Sequence, residues 1–184
     1  IMSFIEETYS SIKAALGLAK FDASAVNQFN LTVRGFWQSF SAILIGAPFA
    51  ISIAYASPLN VDIDISIPLW AVSYLLSWII FPIIMIIFTK LFDLSEKYIQ
   101  FIIALNWSSL VEIFLYFILT FLSVLGLSGN ELFLFINFIG FIYILSYQIF
   151  VIRAALGGGW LITIGVLSLE LIVEFMILSS TTLL

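Results

Sequence analysis

The chain has no cysteine and no histidine in 184 residues. Those two absences exclude disulfides, thiol nucleophiles, Cys or His zinc sites, His-ligated haem and any Ser-His-Asp triad. Charge is almost as scarce. Only 9% of the residues are charged, where a soluble globular domain carries roughly 25%. Six basic residues stand against eleven acids, for a net charge of −5, so nucleic acid is not an expected partner. No phosphate-binding loop, dinucleotide fingerprint or metal-ligand spacing occurs, and no nucleophile has a base beside it. The expectation is a non-enzymatic protein without cofactor or metal. What the sequence does have is apolar bulk, 63% hydrophobic and 17% aromatic residues including 19 Phe. That composition predicts an all-α, polytopic helix bundle in a lipid bilayer.

A spanning helix needs roughly 20 mostly apolar residues. Five stretches qualify, at about 35–57, 67–91, 98–126, 131–152 and 158–180, which makes 35–184 a transmembrane domain. Residues 1–34 are more polar. With Glu6 and Glu7 near the start and no positive n-region, they do not read as a signal peptide. Ile5, Tyr9, Ile12, Leu16 and Ala19 recur at helical spacing, opposite Glu6, Glu7, Ser10 and Lys13. The pattern predicts an amphipathic helix lying in the membrane interface, with a short helix packed on the bundle as the plainer alternative.

Charge placement predicts the orientation. Lys13, Lys20 and Arg34 precede span one, Lys90 and Lys97 flank the turn between spans two and three, and Arg153 lies between spans four and five. The other side holds Asp62, Asp64 and Glu131 and no basic residue. The positive-inside rule then puts the N-terminus in the cytoplasm and the C-terminus outside. Pro58 and Pro68 bracket an external loop with Asn60, and Ser128-Gly129-Asn130 makes a tight external turn. Gly157-Gly158-Gly159 reads as a turn rather than an anion site, since no phosphate partner follows. Two glycosylation sequons, at Asn30 and Asn106, fall on the cytoplasmic side and inside the membrane, where neither is expected to carry a glycan.

Lipid supplies no hydrophobic drive between helices, so small residues mark where backbones approach. Ala42, Gly46, Ala50 and Ala54 form such a seam on span one. Pro48 and Pro82 each remove a helix hydrogen bond. Trp37, Trp70, Tyr98 and Trp160, near span ends, read as interfacial anchors.

Three acids do not belong in lipid. Glu112 lies about fourteen residues into span three, roughly 21 Å at the helical rise, and Glu170 about twelve into span five, roughly 18 Å. Glu174 follows one turn later. An acid at the bilayer centre costs about 2.5–3.5 kcal/mol on insertion scales. No Lys or Arg lies at matching depth. Three solutions stay open: the acids are neutral, they face water or a bound cation, or they meet a basic residue of another subunit. Asn106, Ser109, Glu112 and Tyr116 form a polar stripe on span three, and Asn137, Tyr147 and Gln148 lie on a comparable side of span four. These stripes are expected to converge inside the bundle. Interhelical hydrogen bonds average only around 0.6 kcal/mol, too little to offset three buried acids, so a functional site is favoured over packing alone.

The segments Gly35-Phe36-Trp37-Gln38-Ser39-Phe40, Asn106-Trp107-Ser108 and Tyr147 through Gly159, with Arg153-Ala154-Ala155-Leu156-Gly157, are similar to small membrane proteins of alphaproteobacteria. In topology the chain resembles the Yip1-like family, which places a polar cytosolic segment before five tightly spaced helices. That family's Asp-Leu-x-Gly-Pro segment and Gly-Tyr turn have no counterpart in this sequence. The resemblance implies a role in membrane organisation or partner binding. The leading expectation is therefore a scaffold or accessory subunit in a bacterial inner membrane, partnered by lipid and other membrane subunits, with Glu112, Glu170 and Glu174 as docking acids. The alternative is a small transporter or channel in which Glu112 and Glu170 bind a proton or cation.

Overall fold

Long apolar runs in lipid must satisfy every backbone N–H and C=O within the segment, which leaves helices or closed barrels. The computed structural model describes residues 3–56, 66–127 and 130–182, and every regular element among them is helical. The loop residues Pro58, Asn60, Asp62 and Asp64 and the turn residues Ser128 and Gly129 lie outside the described residues. Among the described residues five helical segments are long and apolar enough to cross a membrane: Val33–Ala56, Ile67–Leu91, Ser95–Leu127, Glu131–Ala155 and Trp160–Ile177.

In chain order the helices are α1 (Phe4–Ala19), α2 (Val33–Ser39), α3 (Ser41–Ala56), α4 (Ile67–Leu91), α5 (Tyr98–Leu122), α6 (Glu131–Ala155) and α7 (Trp160–Thr182). The first span is thus two helices, α2 and α3, meeting at Phe40. Helix α5 is the axis of the bundle, packed against α1, α2, α3, α4 and α6, while α4 packs most extensively on α7. Phe101, Ile102, Ala104 and Trp107 of α5 are buried to within about a hundredth of their surface. Beyond α5, Gly126 takes a positive φ of 82° and ends the span. Gly157 and Gly158, at φ 75° and 78°, make the turn into α7, a backbone that L side chains adopt only at a cost. Arg153, just before that turn, sits over the Trp160 ring at 4.4 Å, on the surface and away from the spanning acids.

Helix α1 opens with a capping box. The Ser3 N–H donates to Glu6 Oε2 at 2.7 Å, and the Glu6 N–H donates to Ser3 Oγ at 3.3 Å. The Ser3 backbone N–H first, and then the Ser3 side chain, hold the Glu6 carboxyl below its ordinary value of 4.5. A carboxyl depressed in the folded state stabilises fully above its ordinary value and loses that contribution as pH falls through the depressed one. Protection of the first-turn amides of α1 against exchange, taken relative to the intrinsic rate at each pH, is expected to fall below pH 4.5, and protection unchanged down to about pH 3 would count against the box.

The face that α1 turns to the bundle is its small-residue side, not its apolar row. Glu7, Ser11, Ala14, Ala15 and Leu18 are buried, whereas Ile5, Tyr9 and Leu16 point outward. Small residues let α1 lie close to α5, and Ile12 and Ala19 pack at the edge of the same core. Glu7, expected on a polar face, is buried because Asn30 Nδ2 donates to its Oε1 at 2.7 Å. Tyr147 Oη donates to the Ala15 carbonyl at 3.1 Å, and Tyr143 Oη to the Ala19 carbonyl. The second bond satisfies one of the carbonyls that a helix end leaves open.

Candidate functional site

Helices α4, α5, α6 and α7 surround a cavity of about 700 Å³. From α5 it takes Asn106, Ser109, Glu112 and Tyr116, from α6 Gln148, and from α7 Glu170 and Glu174. Spacings of three and four residues put each set on one helix side. Helices α5 and α7 run the same way through the bundle. Glu112, fourteen residues after Tyr98, and Glu170 and Glu174, ten and fourteen after Trp160, therefore lie at similar depth, about 15–21 Å in.

Glu112 and Glu170 are half-buried, and Glu174 is exposed where the cavity meets the bundle surface. The three carboxyls lie within electrostatic reach of one another. Gln148 Nε2 donates to Glu112 Oε2 at 3.3 Å, the one side-chain bond to these acids among the described residues. No Lys or Arg occurs among the described residues that line the cavity. Asn106 is nearly sealed from solvent, its Nδ2 donating to Ser39 Oγ at 2.8 Å. That bond ties α2 to the cavity floor. The Ser109 hydroxyl donates to the Leu105 carbonyl of its own helix at 2.9 Å, an arrangement that shields its polarity from the apolar surroundings.

Two of the residues predicted from the stripes lie elsewhere. Asn137 lines a smaller cavity of about 340 Å³ that shares Tyr116 and Phe141 with the main one. Its Nδ2 donates to the Phe133 carbonyl in its own helix at 2.9 Å. Tyr147 points to α1 instead, through its bond to Ala15. The small-residue seam sits behind the cavity wall. Ala42 and Gly46 are buried, with Ala50 and Ala54 half-buried along the same helix. A Cβ on Gly46 would meet Ile113 Cδ1 and Tyr74 Oη at 3.1 Å and Leu110 Cδ2 at 3.2 Å, so glycine lets α3 press against α5.

The fourth wall was not anticipated from the sequence. Tyr74, Ser77, Trp78, Phe81 and Pro82 of α4 line the cavity between α5 and α7, the two helices that carry the acids. Trp70 and Tyr74 stack at 5.2 Å with 8° between planes, and Tyr74 meets Trp78 edge-on at 6.2 Å. Tyr74 Oη donates to the Ile43 carbonyl at 2.9 Å, which fixes the ring. The signal was present as three aromatics at four-residue intervals, 70, 74 and 78. Such a row reads equally as lipid-facing surface.

Acids without a basic counterpart in a low-dielectric chamber attract positive charge. Comparison of the chain with protein-family models, curated proteins and solved structures yields no match.

Proposed function

We propose that the protein is a small, non-enzymatic membrane transporter or channel that holds a cation at Glu112, Glu170 and Glu174. The observation that carries this reading is the convergence of three carboxyls on one intramembrane cavity whose described lining has no basic residue. An uncompensated acid in lipid is costly, and a bound cation offsets that cost. The basic residues lie on one side of the spans, which supports a cytoplasmic N-terminus; the membrane proposed is a bacterial inner membrane. The outward row of Ile5, Tyr9 and Leu16 supports an interfacial position for α1.

The test is flux in liposomes loaded with a pH-sensitive dye. Wild-type protein is expected to couple proton movement to an imposed cation gradient. Glu112→Gln and Glu170→Gln are each expected to reduce the rate about a hundredfold, as for removal of an essential charge-stabilising group, with helix content retained. Wild-type flux no greater than in empty liposomes would sink the reading.

The exposure of Glu174 favours a second reading, an accessory subunit whose partner helix brings a Lys or Arg to that depth. It accords with the resemblance in topology to the Yip1-like family. Native mass measurement in mild detergent separates the two, since an accessory subunit leaves the membrane in a complex with another protein.

A further inference from the structure

We infer that the cation is organic, an ammonium or similar centre carried on an aromatic or aliphatic body, rather than an inorganic ion. This rests on the cation-site reading above and adds the chemical class of the ligand.

Size is the first ground. A metal ion, even with a few waters at about 30 Å³ each, fills a small part of a cavity of about 700 Å³. That volume lies within the range of small-molecule pockets, about 300–1,000 Å³. Coordination is the second. Hard cations need several oxygens closing on one point, six to eight for calcium by rough count. Among the described residues no three acids come together in that way. The carboxyls are instead spread along two helices, which suits a diffuse charge.

The third ground is the wall between them. Trp78, Tyr74 and Phe81 put aromatic rings on the α4 side of the chamber, between α5, which carries Glu112, and α7, which carries Glu170. Indole and phenol faces attract cations through the ring quadrupole, tryptophan most strongly. A body with a buried positive centre gains from both rings and carboxyls, whereas a strongly hydrated inorganic ion gains little from the rings. The row Trp70, Tyr74 and Trp78, stacked at its first step and edge-on at its second, runs from near the start of α4 to the cavity.

The experiment is equilibrium binding to the purified full chain in mild detergent. Radiolabelled tetraphenylphosphonium is the organic probe, triphenylphosphine oxide the neutral competitor, and labelled sodium and calcium the inorganic probes. Saturable tetraphenylphosphonium binding is expected, undiminished by the neutral analogue. Glu112→Gln and Trp78→Ala are each expected to weaken it about tenfold, while Trp78→Phe keeps it within about threefold. Circular dichroism and gel filtration show that each variant is folded. The Phe variant and Glu112→Gln carry the test if Trp78→Ala is not. Organic binding indifferent to Glu112 overturns the inference. Sodium or calcium bound through Glu112, with no organic binding, overturns it and leaves the cation site standing. No cation of either kind bound overturns both.

Discussion

Glu170→Lys is expected to abolish cation binding and, at the same time, to raise the unfolding temperature. Glu170 stands beside Glu112 and Glu174 on the cavity wall. With all three ionised the wall carries a formal charge of −3. The substitution changes that by two, to −1, and supplies a tethered ammonium where the ligand's charge would sit. Self-repulsion falls and a new attraction appears, each of them stronger than in water because the surroundings screen poorly. Natural sites keep such repulsion for function, and relieving it typically gains about 0.5–2 kcal/mol. Thermal unfolding and ligand binding, measured on one preparation in detergent, check both halves. A Lys variant less stable than wild type would mean that the carboxyls are content without a cation, and the proposed site would fall.

Gly35→Ala is expected to be the most damaging single methyl in the chain. A Cβ there would lie 1.9 Å from the Asn30 carbonyl oxygen and 2.9 Å from Asn30 C and Cγ. The neighbour cannot move aside. Asn30 Nδ2 holds Glu7, and its Oδ1 accepts from the Thr32 hydroxyl at 2.7 Å, while Thr32 Oγ1 accepts from the Gly35 N–H at 3.2 Å. Displacing Asn30 would strip the buried Glu7 of that bond. Overpacking costs about 1–3 kcal/mol, and the stranded polar group a further 1–3 or so. A combined loss of about 3 kcal/mol or more is expected in reversible unfolding. Gly159→Ala is the control, since nothing lies within 4 Å of its Cβ position. Its cost is expected to stay within about 0.5 kcal/mol. Equal stability of the two variants would refute the account of the α1–α2 junction.

The spans were legible because a membrane imposes length and composition locally. Ile67–Leu91 coincides with its expected bounds, and Glu131–Ala155 extends its own by three residues. The α5 stripe was legible for the same reason, since residues 106, 109, 112 and 116 fall on one side by helical geometry alone. What eluded the sequence was which surface each helix turns to its neighbours. The amphipathic pattern puts Ile5 and Tyr9 on one side of α1 and Glu7 on the other, without saying which side meets the bundle. In a bundle where lipid is as apolar as leucine, Ala14 and Ala15 mark the contact instead. Glu7 depends on Asn30, twenty-three residues away, and Glu112 on Gln148, thirty-six away. Pairs so distant leave no periodic trace. Asn137 shows the converse, a polar residue at suitable depth that settles against its own helix.

The axial place of α5 has a consequence for biosynthesis. Spans one and two leave the ribosome before the helix on which α2 and α3 pack, so they must wait in the bilayer largely unpartnered until α5 is released. The Ser39–Asn106 bond cannot form earlier. The chamber itself comes later still, because its last wall is α7. Between those moments Glu112 stands in the membrane without Gln148 or a finished cavity around it. A nascent chain stalled between α5 and α6 would thus carry a solitary intramembrane acid, the kind of feature that membrane chaperones and quality-control proteases engage.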